Sequence, residues 1–140
     1  MDAATEMTSL LGTFYAALAS GDGSEWFAKL APDVLAIGTD EAEWIQGKEA
    51  VVAGLATQLR EMREAGIRAS TAGSPTVAAG VDTAWAADRP VMHLPDGTAV
   101  PLRITMTTTR ENETGSLLVR QFHLSSGVPN EDLMKEKLTV

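Results

Sequence analysis

The run "SLLVRQFHLSSGV", residues 116–128, reads as a β-strand near the end of the chain and carries one of the protein's two histidines. Successive side chains of a strand point to opposite faces. Strict alternation therefore groups Leu117, Val119, Gln121, His123 and Ser125 on one face and Arg120, Phe122 and Leu124 on the other. The first set begins apolar and turns polar, as the wall of a pocket with a dry floor would. It is the expected inner face, and Phe122 and Leu124 are expected to point outwards.

Working back from this strand, three more β-rich runs follow Gly66: "IRASTAGSPTVAA", "TAWAADRPVMHL" and "AVPLRITMTTTRE". "LPDGT" and "ENETG" are the turn signals between the later ones. Pro75, Pro90 and Pro101 fall inside strand readings, where proline marks an edge or a bulge and bends the sheet. On "AVPLRITMTTTRE" the same alternation groups Arg103, Thr105 and Thr107.

Before Gly66 the pattern is mainly helical. Met7, Leu10, Leu11, Phe14 and Leu18 keep the spacing of one helical face, which ends at "SGDG". Ser24 reads as the cap of a short helix "EWFAKLA", stopped by Pro32, and "DVLAIGT" reads as a strand. "KEAVVAGLATQLREMREAG" is a longer helix with Val52, Leu55, Leu59 and Met62 in one stripe. Helices gathered first and an antiparallel meander after them predict an α+β fold.

Composition bounds the function. With 140 residues and 44% hydrophobic content, the expectation is one domain over 1–140. There is no cysteine, so no disulfide, thiolate nucleophile or cysteine-held metal is possible. A net charge of −8 with scattered Lys and Arg argues against nucleic acid. No apolar run approaches a membrane span, and "MDAATEMTS" lacks the features of a secretory signal. A cytoplasmic protein without membrane contact is expected. No motif calls for a metal or any other cofactor.

The element order, with "FYAALASGD" on the first helix, "IGTDEAEWIQGKEAV" before the third and "HLSSGVPNE" at the end, resembles the nuclear-transport-factor-2-like superfamily, and within it the SnoaL-like group. The resemblance implies a cystatin-like cone: a curved, mostly antiparallel sheet wrapped around three helices of the N-terminal half and open into an apolar pocket. It also implies a homodimer through the outer sheet face, to which an outward Phe122 and Leu124 would contribute. The superfamily includes ketosteroid isomerases, polyketide cyclases, limonene epoxide hydrolase and non-catalytic binding modules, so fold alone leaves the chemistry open.

Carried over position by position, the isomerase oxyanion-hole tyrosine falls on Phe14, its general-base aspartate on Gly38 and its second oxyanion donor near Arg103. Those departures remove the isomerase mechanism. The Arg-x-Asp pair of the epoxide hydrolase would fall on Arg103 and Thr105, and threonine cannot replace its carboxylate. A cyclase-type reaction needs one acid/base group in an apolar pocket, which His123 could supply.

The candidate site is accordingly His123 as acid/base, Asp40 as its partner and Arg103 as oxyanion stabiliser. Trp44, Trp85, Phe14, Gln121 and Thr105 would contact a small apolar organic ligand. Each has a plainer reading. His123 could be a hydrogen-bonded structural residue, and Arg103 could pair with Asp88, Asp40 or Glu43. Asp40 and Glu43 could cap a turn before the third helix, and the two tryptophans could be core anchors. His93, beside a turn, is expected to be exposed. The expected function is small-molecule binding, with or without acid–base turnover; the competing class is a non-catalytic ligand-binding or dimeric interaction module.

Overall fold

A computed structural model of the protein describes residues 2–71, 73–111 and 115–138. The first helix, α1 (Ala3–Ser20), buries Met7, Leu10, Leu11, Phe14 and Leu18 along the expected stripe, together with Tyr15 and Ala17. Asp2 starts the helix by accepting the Thr5 N–H at 2.7 Å. Gly21 ends it in the left-handed conformation, at φ 78°, which a residue without Cβ adopts freely.

The second helix is shorter than its sequence suggests. α2 covers only Ser24–Phe27, and β1 (Leu30–Ile37) runs through Pro32 instead of starting after it. The N-cap position falls on Gly23, one residue before Ser24, and has no side-chain cap; Asp22 Oδ1 accepts the Ser24 N–H at 3.0 Å just ahead of the helix. A short strand that the sequence pattern does not announce, β2 (Trp44–Gln46), pairs antiparallel with β1; it is too short to display alternation. In α3 (Lys48–Glu64), Val51 and Leu59 are buried and Val52, Leu55 and Met62 half-buried.

Six strands follow: β3 (Arg68–Thr71), β4 (Thr76–Ala79), β5 (Thr83–Asp88), β6 (Pro90–His93), β7 (Ala99–Arg110) and β8 (Leu117–Ser126). Two of the four expected strands are broken near prolines, Pro75 between β3 and β4 and Pro90 at the start of β6. Proline lacks the N–H that continues a ladder, so strands break or bend there. β3 pairs with β6 and β4 with β5. From the pair Thr71–Pro90 to the pair Thr76–Ala87, one strand takes five steps and the other three. β7 spans both halves, pairing with β6 at Ala99–Pro101 and with β5 at Ile104–Thr109. The resulting corner curves the sheet, whose order is β2-β1-β8-β7-β5-β4.

β1 and β8 pair in parallel, while the other described pairings are antiparallel. The "LPDGT" turn forms with Gly97 at φ 91°; residues 112–114 of "ENETG" lie outside the described residues. A fourth helix, α4 (Asn130–Leu138), follows β8, so the helices are not confined to the N-terminal half.

The alternation of β8 is interrupted. Thr107 lies opposite Gln121, but Thr108 lies opposite Val119, leaving Arg120 as an extra residue. Such a bulge shifts every later side chain to the other face. Leu117 and Val119 point inwards as expected, but beyond the bulge Phe122 is the buried residue, packed against Phe14 and Trp26 at centroid distances of 5.9 and 5.6 Å. Gln121, His123 and Ser125 therefore take the outer face, with Thr107, Thr105 and Arg103 opposite them. Arg120 spans the irregularity, its Nε donating to Thr109 Oγ1 at 2.7 Å and its Nη1 to Asp33 Oδ1 at 2.6 Å.

Near the sheet corner, the Tyr15 hydroxyl donates to Asp88 Oδ2 at 2.7 Å, and both residues are buried. Burial first, then the hydrogen bond to Asp88 and its negative charge, pushes the Tyr15 hydroxyl well above the usual phenol range. This is the protein's single tyrosine, so its ionisation can be followed alone in the ultraviolet. Because the folded-state pKa is raised, its stabilisation is full below about pH 10, the unfolded value, and declines as pH rises further. The expected outcome is no phenolate absorbance near pH 10 until the chain unfolds. Tyr15→Phe should lower stability by about 1–3 kcal/mol in urea titrations near pH 7, as a buried carboxylate loses a donor.

Candidate functional site

A cavity of about 550 Å³ opens between α1, α3 and the inner face of the sheet. Phe14 and Leu18 of α1 face Leu102 of β7 and Phe122 and Leu124 of β8 across it. The α3 side presents Val51, Leu55, Gln58, Met62 and Ala65, which keep helical spacing. Ile67, Ala69 and Met92 continue the apolar lining towards β3 and β6. Thr39, Gln58, Glu61 and Ser126 line it and are exposed, which marks the mouth.

The polar groups gather at that mouth. Two carboxyl side chains, Glu43 and Glu61, are among the described lining residues, and no Lys, Arg or His is. Glu43 is half-buried and held from two sides: Oε1 accepts the Asp40 N–H at 2.8 Å, and Oε2 accepts from Gln58 Nε2 on α3. The loop that supplies it is tight. The Gly38 N–H donates to the Glu43 carbonyl at 2.8 Å and the Glu43 N–H to the Asp40 carbonyl at 2.9 Å. Gly38 makes room for the side chain, since a Cβ there would stand 2.7 Å from Glu43 Cδ and 2.8 Å from its Cβ. Any side chain at position 38 would displace this carboxylate.

The trio named from the sequence does not converge in the cavity. His123 is half-buried on the outer face, opposite Thr105 and Ile37. Arg103 is exposed on the same face, two residues from Thr105 along β7, with its guanidinium beside Gly127. The ion pairs among the described residues are Arg110–Glu6 and Arg120–Asp33, and neither includes Arg103. Asp40 is exposed in the loop between β1 and β2, where its Oδ1 accepts the Ala42 N–H at 2.8 Å. It caps a turn, but one between strands and not one leading into α3.

Of the expected ligand contacts, Phe14 lines the cavity. Gln121 and Thr105 take the outer face with His123. Trp44 and Trp85 are 65% and 45% exposed; Trp44 lies opposite Ile37, and Trp85 opposite Thr107. They are not core anchors. His93 is exposed as expected, 2.8 Å from Ser70 Oγ through its Nε2.

The parity reading failed at Arg120, an ordinary polar residue inside an alternating run. Gln58 could have been found: it is the one amide in the stripe Val51, Leu55, Gln58, Met62, a polar group at a position where a core helix carries an apolar one. Glu43 leaves no such trace, because only the folded loop turns it back over Gly38.

With this geometry in place, the relatives fall into line. The sequence model of the SnoaL-like domain matches residues 8–129. The chain belongs to the SnoaL-like family. Among solved structures, an NTF2-like protein of unknown function from Pseudomonas putida KT2440 superposes with a TM-score of 0.80 at 22% identity, over 93% of this chain and 90% of that one. An NTF2-like protein with a cystatin-like fold from Novosphingobium aromaticivorans superposes with a TM-score of 0.74 at 18% identity, over 93% and 86%. A Caulobacter vibrioides protein with a cystatin-like fold gives a TM-score of 0.75 at 13% identity, over 99% and 100%. At these identities the likeness establishes the SnoaL-like chain's cystatin-like fold, not its chemistry. No curated protein matches it. Among the described residues, no helix is long and apolar enough to cross a membrane.

The exchanged faces of β8 can be checked by stability. Phe122→Ala should cost about 3–5 kcal/mol in urea unfolding, as a buried aromatic does, and His123→Gln less than about 1 kcal/mol. The reverse ranking would return His123 to the interior.

Proposed function

We propose that this SnoaL-like protein holds a small, largely apolar organic molecule in the cavity between α1, α3 and the sheet. The observation that carries this reading is the cavity itself: about 550 Å³, with apolar walls from three layers and polar groups confined to one edge. Its size falls within the usual range of small-molecule sites. Acid–base turnover is the second reading. With His123 and Arg103 on the outer face, it would have to use Glu43 as the proton-transferring group in the cavity.

Pyrene tests the first reading, because its vibronic band ratio reports the polarity around it. Stoichiometric binding with an apolar band ratio is expected for the wild-type protein. Leu55→Trp, which fills the cavity from α3, should weaken it at least tenfold. A wild-type protein that leaves pyrene in water would remove the proposal.

The outer face is proposed to pair with a second copy. Trp44 and Trp85 expose large apolar surfaces there, and Leu35, Gln121, His123, Thr105 and Thr107 lie between them in the sheet order. Exposed apolar patches of this kind mark interfaces. Phe122 and Leu124 play no part in this face, being turned inwards. Sedimentation equilibrium is expected to give twice the chain mass of 14.8 kDa, and Trp85→Lys to shift the protein to the monomer. A wild-type monomer at micromolar concentration would reject the pairing.

A further inference from the structure

We infer that the cavity selects a ligand whose apolar body ends in a hydrogen-bond donor, a hydroxyl or an amine, and that Glu43 is the residue that recognises it. The inference rests on the cavity reading above and adds the chemistry of the ligand's head group.

Glu43 is oriented before any ligand arrives. The backbone N–H of Asp40 and the amide of Gln58 each hold one carboxylate oxygen, and they come from two different elements. A carboxylate oxygen accepts along two directions, so each retains one. Both of these groups donate to Glu43, so the remaining capacity of its carboxylate is for acceptance. A ligand hydroxyl or ammonium fits that need; an ether or a carbonyl does not.

Charge sharpens the choice. A second carboxylate, Glu61, stands at the same mouth, and the described lining residues include no cation. An anionic head group would meet two like charges beside an apolar wall, where screening by water is reduced. An ammonium would meet the opposite situation. The expected ranking at one chain length is therefore amine, then alcohol, then carboxylate. A charge-assisted hydrogen bond corresponds to about ten- to a hundredfold in affinity.

Three probes that differ only in the head group test this: octylamine, 1-octanol and octanoate, each titrated against bound pyrene at pH 7. Octylamine is expected to displace pyrene at least tenfold more readily than octanoate. Glu43→Gln should reduce that ratio at least tenfold while pyrene affinity holds. Glu61→Gln should reduce it by less, because Glu61 is exposed. Should Glu43→Gln not fold, as judged by its thermal melt, the exchanged pair Glu43→Gln with Gln58→Glu keeps one carboxylate in the same contact and should retain the preference for the amine. If pyrene enters but the three probes compete alike, the selectivity is overturned and the cavity reading stands. The same holds if Glu43→Gln leaves the ranking unchanged, if Glu61→Gln alone abolishes it, or if the exchanged pair loses it. If pyrene does not enter the wild-type protein, both readings fall.

Discussion

The pairing of β7 with β8 is the longest seam of the sheet, and along it β8 carries one residue more than its partner, Arg120. Every side chain beyond that residue lies on the face opposite to the one simple alternation assigns. The bulge moves Phe122 and Leu124 into the interior, where Phe122 joins Phe14 and Trp26 and both β8 residues line the cavity. It moves Gln121 and His123 to the outside. Without it the cavity would present an amide and an imidazole at its centre, and the aromatic cluster would lose a member. Arg120 bridges both neighbouring strands through Thr109 and Asp33. Because the Arg120–Asp33 pair is largely exposed, it contributes more to the geometry of the bulge than to stability.

The same economy of few residues shapes the rest of the cavity. Breaks near Pro75 and Pro90 turn two strands through a corner, and the Tyr15–Asp88 hydrogen bond ties α1 to the sheet at that place. At the other end, the absence of a side chain at Gly38 lets Glu43 fold back against Gln58. The corner gives the cavity its depth, and the loop gives it its polar edge. The result is one held carboxylate at the mouth of an apolar space.

Much of the architecture was legible before folding. The stripe of α1, its glycine stop, the stripe of α3 and the "LPDGT" turn all follow from contacts within a few residues, so local spacing encodes them. The bends near Pro75 and Pro90 were legible for the same reason, since proline removes an N–H wherever it stands. β2 and α4 escaped notice, being short or lacking a continuous apolar stripe. The family resemblance supplied the cone shape that periodicity could not.

The candidate site was the less legible part. Of its named residues, Phe14 alone lines the cavity, and it lies on a helix whose face the spacing already determined. The sequence by itself determined α1 and α3, where most strands and turns fall, and that these two helices precede the meander; it did not show α4 or the true extent of α2. The tertiary structure decided that β1 pairs in parallel with β8, that Arg120 bulges, and that Glu43 meets Gln58 across fifteen residues of chain. Helical periodicity is set by hydrogen bonds between near neighbours and survives in the sequence. The register between distant strands is set by which pairing buries the most apolar surface around the whole core, and no single segment carries that information.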